Sequence, residues 1–138
     1  MKKPLLAAAI TLLAAGTAMA QANDTLAKVK GAGSITLGVR ESSGLSYTLG
    51  GGKYVGVHTE MAEVIVSDLQ KQLGLAKLEI KYQPVTSQNR IPLVTNGTVD
   101  LECGSTTNNA ARQKDVAFAV TTYVEEVRMV VKANSGIT

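Results

Sequence analysis

Apolar and polar residues alternate in several stretches of the chain, at the spacing that is typical of β-strands. Three of these stretches are short. Their apolar positions are Ile35, Leu37 and Val39, then Leu78, Ile80 and Tyr82, and then Val99, Leu101 and Cys103. A longer, valine-rich stretch runs from Tyr123 to Lys132 and predicts a last strand.

Helical spacing separates these predicted strands. The longest helical pattern starts at Thr59, with acidic residues in its first turn, and ends at Gly74. Its apolar positions are Met61, Val64, Ile65, Leu69 and Leu73. Shorter helices are predicted over residues 25–30, 89–95 and 108–114. Because the elements alternate in the order βαβαβαβ, the sequence predicts an α/β fold with a mainly parallel sheet.

A glycine-rich segment between the first strand and the long helix predicts a hairpin. Three glycines at 50–52 would form its turn, across which Tyr47 and Leu49 are expected to pair with Tyr54 and Val55. The Lys and Ser/Thr of a phosphate-binding loop do not follow these glycines. The segment therefore predicts a structural turn.

The first residues have the pattern of an export signal. Lys2 and Lys3 precede an apolar run over 4–15, which is well short of the ~20 residues that a membrane-spanning helix needs. Ala18-Met19-Ala20 has the small residues of a cleavage site. We expect cleavage after Ala20 and export of the mature chain to the periplasm; an uncleaved anchor is the less favoured alternative.

The charge of the chain changes when this signal is set aside. The full sequence has 14 Lys and Arg against 11 Asp and Glu, a net charge of +3, and without Lys2 and Lys3 the net charge is +1. Aromatic residues make up 4% of the chain, Trp is absent, and the lysines are scattered. Because a nucleic-acid surface needs clustered basic residues and aromatic stacking, nucleic acid is not an expected partner.

Cys103 is the single cysteine, so it cannot form a disulfide within the chain. It could be a buried thiol that packs as a small apolar side chain, half of a disulfide with a partner outside this chain, or a nucleophile. The first two interpretations are favoured. The only histidine, His58, belongs to another segment, close to the predicted start of the long helix.

Arginines and small hydroxyl residues follow the predicted parallel strands, where each strand ends. They are Arg40 after the first strand, Ser87 and Arg90 after the second, and Ser105, Thr107 and Arg112 after the third. Ligands of open α/β sheets bind outside the carboxyl ends of the strands. Arginine binds a carboxylate through two parallel hydrogen bonds, so this edge predicts a site for a small carboxylated ligand. Taken singly, Arg112 could be solvated and Arg90 could pair with a surface carboxylate.

Several motifs resemble one known family over about residues 25–132. They are Val39-Arg40-Glu41-Ser42-Ser43, the run 86–92, Asn96-Gly97-Thr98, the run 102–109 and Arg112-Gln113-Lys114. With this order and spacing, the chain resembles the periplasmic substrate-binding proteins of polar amino acid ABC transporters, in the branch that binds glutamate and aspartate.

The resemblance implies a role for each candidate residue. Arg112 would hold the α-carboxylate of the ligand with help from Thr107, and Ser105 would help to hold the α-ammonium group. The side-chain carboxylate would meet Arg40, Ser87 and Arg90. No cofactor and no metal are implied. Charge counting agrees, because an acidic amino acid has two carboxylates and one ammonium group.

The resemblance also implies how the chain is organised. These proteins have two α/β lobes that close over the ligand by a hinge motion, and deliver it to permease subunits of an ABC importer. Residues 21–132 would form the N-terminal part of the first lobe, and 133–138 the start of the hinge and a second lobe. The expected acidic partner of the ligand ammonium is missing, and we expect a chain with only half of the site to bind weakly or not at all, because its charges stay screened by water.

Two alternatives to a transport protein remain at this point. Related folds include periplasmic enzymes, for which Glu41 and Glu102 would be the candidate acids or bases, although both look structural beside the strand ends. A sensory ligand-binding module is the other alternative. The transport interpretation implies a protein that is not an enzyme.

Overall fold

The computed structural model of the protein describes residues 24–126 and 128–136. The predicted signal peptide, with its cleavage site after Ala20, lies outside the described residues. The elements are α1 (Thr25–Ala32), β1 (Ser34–Val39), β2 (Ser42–Ser43), β3 (Ser46–Gly50), β4 (Lys53–Val55), α2 (Val57–Gln72), β5 (Glu79–Pro84), α3 (Arg90–Thr95), β6 (Leu101–Glu102) and a 3₁₀ helix (Arg112–Lys114).

A three-stranded parallel sheet forms the centre of the fold, with the strand order β5-β1-β6. In its register, Leu37 of β1 lies between Tyr82 of β5 and Leu101 of β6. The predicted α/β class with mainly parallel strands is confirmed. The third strand is shorter than predicted, since only Leu101–Glu102 pair with β1.

The predicted hairpin forms a second, antiparallel sheet of β2, β3 and β4. Tyr47 pairs with Val55, and Thr48 pairs with Tyr54. The glycines 50–52 have φ angles of 84°, 61° and 78°, a left-handed conformation that residues with a Cβ rarely adopt. The turn therefore depends on glycine, as the sequence indicated.

The long helix α2 begins at Val57, two residues before the predicted start. Gly56 precedes it with a φ of 120°, and a Cβ there would lie 2.6 Å from the carbonyl oxygen of Leu45. The N–H of His58 donates a hydrogen bond to that same oxygen at 3.0 Å. A contact with the hairpin thus sets the start of the helix, and Thr59 is buried inside its first turn.

The core lies between the parallel sheet and the helices α1 and α2. Its buried residues are Val29, Ile35, Leu37, Val39, Ala62, Val66 and Leu78. Burying one such valine or leucine side chain stabilises the fold by roughly 1.5–3 kcal/mol relative to an exposed position. This packing holds β1 rigidly, and β1 is the strand whose end carries Arg40.

Two predicted elements are wrong in the described residues. The stretch from Tyr123 to Lys132 forms no strand there, and Val124, Met129 and Val130 are more than 80% exposed. A strand needs a neighbour for its backbone hydrogen bonds, and no described strand pairs with this stretch. The predicted helix 108–114 is reduced to the 3₁₀ turn Arg112–Lys114, which leaves the polar run before it irregular.

Candidate functional site

Arg40 directly follows β1 and lies at the carboxyl edge of the parallel sheet. One of its terminal nitrogens, NH1, donates a hydrogen bond to the carbonyl oxygen of Val85 at 3.3 Å, and Val85 is bound in turn to Val39 through its backbone N–H. The guanidinium of Arg40 is therefore fixed beside the end of β5. Its Nε atom is buried and has no hydrogen-bond partner among residues 24–126 and 128–136.

Arg90 is the first residue of α3, and its side chain is 6% exposed. Its NH1 atom donates to the hydroxyl of Ser105 at 3.4 Å and lies 3.9 Å from Oε1 of Glu102. Burial lowers the pKa of the Arg90 guanidinium below its usual value; the charge of Glu102 opposes this shift, and the charges of Arg40 and Arg112 add to it. These side chains thus act on one another across the same edge.

Glu102 ends β6 in the middle of this cluster, with its side chain 10% exposed. Its Oε2 atom accepts a hydrogen bond from the hydroxyl of Thr106 at 2.7 Å. Its Oε1 atom, like Nε of Arg40 and Nε of Arg90, has no hydrogen-bond partner in the described part of the chain. We call these three atoms the open atoms, and we call Arg40, Arg90, Glu102, Ser105 and Thr106 the Arg90 cluster.

Sequence reasoning missed the part that Glu102 and Thr106 play in this cluster. It treated Glu102 as a strand-end residue or a candidate acid or base, because the burial of its carboxylate beside Arg90 depends on the tertiary fold. The available signal was Glu102 itself, an acidic residue within an apolar strand that ends between Arg90 and Arg112. A buried carboxylate needs a partner, so this position predicts a nearby cation.

Arg112 lies at the open side of the same edge. Its NH1 atom donates to the carbonyl oxygen of Thr107 at 2.9 Å, and its backbone N–H is capped by Oδ1 of Asn109 at 3.0 Å. Arg112 is partly buried, and Thr107 is exposed. The two predicted partners are thus in contact, although through the backbone of Thr107 rather than its hydroxyl.

Ser87 is exposed in the turn that precedes α3. The turn is held by two reciprocal bonds between Thr86 and Asn89, at 2.7 and 3.2 Å. These bonds fix the chain just before Arg90. No side-chain hydrogen bond joins Ser87 to the Arg90 cluster in the ranges that the structure describes.

Cys103 follows Glu102, is partly buried and packs against the apolar core. Burial raises the pKa of its thiol, and the charge of Glu102 raises it further. A thiol with a raised pKa is a poor nucleophile at neutral pH. His58 is buried at the start of α2, where its Nε2 atom lies 3.3 Å from the hydroxyl of Thr122. These observations favour Cys103 as a packing residue.

Comparison with known proteins decides the family. Residues 35–137 match the model of the bacterial extracellular solute-binding proteins, family 3. The chain belongs to this family. The predicted resemblance to solute-binding proteins is confirmed, and the edge that carries the Arg90 cluster is that of a family 3 solute-binding chain.

Curated relatives of this family 3 chain share more than two fifths of its sequence. The glutamate/aspartate import solute-binding protein of Escherichia coli (strain K12) is 43% identical over 145 residues, which cover 99% of this chain and 47% of the relative. The L-glutamate/L-aspartate-binding protein of Pseudomonas aeruginosa is 44% identical over 128 residues, 91% of this chain and 42% of the relative. The chain spans less than half the length of these relatives.

Solved structures show the same fold. The arginine-bound form of domain 1 from TmArgBP, a point mutant, superposes with a TM-score of 0.58 at 22% identity and covers 71% of either chain. An ancestral cationic amino acid solute-binding protein superposes with a TM-score of 0.54 at 23% identity, over 65% of this chain and 37% of its own. The described lobe is thus that of a periplasmic-binding-protein fold.

Within residues 24–126 and 128–136, no group of three or more His, Cys, Asp and Glu side chains is placed to hold a metal ion. None of the helices in that part of the family 3 chain is long and apolar enough to span a membrane.

Proposed function

We propose that this chain provides part of a solute-binding protein that binds L-glutamate or L-aspartate in the periplasm and delivers it to the permease subunits of an ABC importer. Support comes from the names of the relatives at 43% and 44% identity, which refer to glutamate and aspartate. The proposal is one of binding without catalysis, which agrees with a family of solute-binding proteins.

The observation that carries the proposal is the pair of arginines in the Arg90 cluster whose Nε atoms are buried. Arg40 and Arg90 each keep a buried Nε–H without a partner in the described ranges, while their NH1 atoms are anchored at 3.3 and 3.4 Å. A buried donor without a partner costs about 1–3 kcal/mol. A ligand carboxylate could satisfy both donors, so the cost of keeping them open would be recovered on binding.

The two carboxylates of an acidic amino acid would meet different parts of the edge. The α-carboxylate would bind Arg112 and Thr107, and Ser105 would hold the ammonium group. The side-chain carboxylate would bind the buried end of the site, formed by Arg40, Ser87 and Arg90. This division explains a preference for acidic ligands, because a neutral or cationic side chain would leave the open arginine donors without an acceptor.

The organisation of the chain follows from the same proposal. Residues 21–132 would belong to the first lobe and 133–138 would begin the passage to a second lobe, with the signal peptide removed after Ala20. The site would then be one wall of a cleft that closes by hinge motion. One wall leaves the ligand exposed to water. We therefore expect the chain alone to bind the ligand with a Kd on the order of millimolar.

An NMR titration of the chain from Gln21 to Thr138 tests this function. L-Glutamate and L-aspartate are expected to shift the backbone amides of residues 86–90 and 104–112 in a saturable way, whereas L-glutamine and L-arginine at equal concentration are not. Arg90→Ala should abolish the shifts because it removes an open donor. The matched control is Arg128→Ala, which removes an exposed arginine paired with Glu126.

The control variants distinguish ligand binding at the Arg90 cluster from a general attraction of the ligand to the positive charge of the chain. Glutamate shifts that persist in Arg90→Ala, or that vanish equally in Arg128→Ala, would contradict the proposal. Equal responses to glutamine and glutamate would contradict the acidic preference while leaving a general amino acid site.

A further inference from the structure

Glu102 is a buried titratable group that the proposed ligand contacts do not use. Its carboxylate lies within the Arg90 cluster, with Oε2 fixed by Thr106 at 2.7 Å and Oε1 at 3.9 Å from NH1 of Arg90. At 3.9 Å the two charges attract each other, but no hydrogen bond joins them. Glu102 therefore compensates the charge of Arg90 without occupying its donors.

Two glycines make the space for this carboxylate. A Cβ on Gly38, which pairs with Glu102 in the sheet, would lie 3.3 Å from Cγ of Glu102. A Cβ on Gly104 would collide with Oε1 of Glu102 and would lie 3.5 Å from Cγ of Arg40. The pocket of Glu102 is thus shaped on two sides by residues without side chains.

The hydrogen bond from the hydroxyl of Thr106 fixes the position of the Glu102 carboxylate. It fixes Oε2 on the side of the loop that follows β6, so the carboxylate is held short of the bidentate geometry that a guanidinium prefers. The open atoms Nε of Arg40 and Nε of Arg90 keep their donor capacity unfilled in the described ranges. Glu102 thus compensates the charge of Arg90 without using these two donors.

A simple anion would otherwise be attracted to the same place. A buried guanidinium group such as that of Arg90, with Arg40 nearby, would without a counter-charge attract sulfate or chloride, because a buried cation is costly until a negative charge is near. A fixed carboxylate reduces that attraction for every anion. An amino acid also gains contacts at Arg112 and Ser105, which a small inorganic anion at the buried end cannot make.

We propose that Glu102 is a specificity-determining residue: its carboxylate is the internal counter-charge of Arg90, and it keeps small inorganic anions out of the buried end of the ligand site. The inference rests on the proposed function for the identity of the ligand. The exclusion of inorganic anions can be measured without that ligand.

The test compares charge-changing variants at the same edge. Sulfate is titrated at constant ionic strength into the wild-type chain and Glu102→Gln, with the backbone amide of Arg90 followed by NMR. Glu102→Gln keeps the shape and an acceptor for Thr106 but removes the charge, so sulfate affinity is expected to rise at least about tenfold. Glu41→Gln removes an exposed charge beside Arg40 and should change it by less than about twofold.

The conservative variant separates charge from packing. Glu102→Asp keeps the negative charge and should leave sulfate affinity within about threefold of wild type. A role in packing alone would give the opposite pattern: Glu102→Gln, which keeps the shape, would behave like wild type, and the shorter Glu102→Asp would change. Equal sulfate affinity in wild type and Glu102→Gln overturns the inference. An increase of the same size in Glu41→Gln also overturns it, because bulk charge would then be the cause.

A double variant and a parallel glutamate titration deal with two further outcomes, namely that Glu102→Gln does not fold and that glutamate does not bind. If Glu102→Gln does not fold, the double variant Arg90→Gln/Glu102→Gln should fold, since it removes both charges; a double variant that also fails to fold overturns the inference. L-Glutamate is titrated in parallel. If glutamate does not bind the wild-type chain but sulfate affinity rises in Glu102→Gln, the proposed function fails while the role of Glu102 stands.

Discussion

The two ends of β6 carry buried carboxylates in opposite situations. Asp100, just before the strand, has a side chain 3% exposed, and its oxygens accept hydrogen bonds from Nζ of Lys28 at 2.7 Å and from the backbone N–H of Thr36 at 2.8 Å. Glu102, at the other end, has one oxygen bound to Thr106 and the other without a partner in the described ranges. Both residues are acidic, but only Asp100 is fully satisfied.

The hydrogen bonding of the two carboxylates distinguishes a structural position from a candidate binding position. A buried carboxylate with all its hydrogen bonds stabilises one arrangement of the backbone, and Asp100 does so by joining α1, β1 and the loop before β6. A buried charge that lacks a hydrogen bond costs free energy, and such costs are concentrated where a ligand is later bound. The sheet edge near Asp100 is therefore built for stability, whereas we propose that the edge near Glu102 is built for binding.

Asp100→Ala should have the largest effect on stability. It leaves the N–H of Thr36 without its acceptor and removes one of the two acceptors of Lys28, which keeps its bond to the carbonyl oxygen of Gly97, so the free energy of unfolding is expected to fall by about 2 kcal/mol. Urea denaturation followed by circular dichroism measures the change. Glutamate shifts at residues 104–112 should persist in the folded fraction, because the opposite end of β6 is untouched.

The matched control is Asp68→Ala. Asp68 pairs with Lys71 at 2.9 Å on the exposed surface of α2, and its loss should change the free energy of unfolding by less than about 0.5 kcal/mol. Equal losses in the two variants would contradict the structural role given to Asp100.

Replacing glycine by alanine should change the free energy of unfolding in opposite directions at two positions, by less than Asp100→Ala does. Gly104→Ala places a methyl group against Oε1 of Glu102 and should lower the free energy of unfolding by about 1–2 kcal/mol through overpacking. Gly31→Ala, in α1 with no atom within 4 Å of the added carbon, should raise it by about 0.5–1 kcal/mol through helix propensity. Thermal unfolding of both variants measures the two shifts, and a neutral Gly104→Ala would show that the Glu102 pocket is loose.

The sequence predicted the parts of the fold that depend on local pattern. Alternating residues in β1 and β5 gave the parallel strands, and the three glycines gave the hairpin turn, because each pattern is sufficient for its element. The start of α2 was missed by two residues, since it is fixed by the bond from His58 to Leu45 in the hairpin. A contact between distant segments leaves no local signature.

The last predicted strand shows the limit of β-propensity. Val124 and Val130 have the right residue type, but a strand also needs a neighbour, and the described sheet provides none for them. The sequence did predict that Arg90 and Ser105 are neighbours, because the rule for the carboxyl ends of parallel strands brings both to one edge, where their side chains lie 3.4 Å apart. The binding role of these residues stays a prediction. Glu102 was missed because its role depends on burial.

The most direct test of the central claim follows the arginine side chains themselves. The claim is that the open Nε–H groups of Arg40 and Arg90 receive the ligand carboxylate. In a ¹H–¹⁵N NMR titration of the chain from Gln21 to Thr138 with L-glutamate, both Nε–H resonances are expected to move and to saturate together with the backbone amide of Arg90. Resonances that stay fixed while backbone amides elsewhere respond would contradict the account, because the ligand would then bind away from the Arg90 cluster.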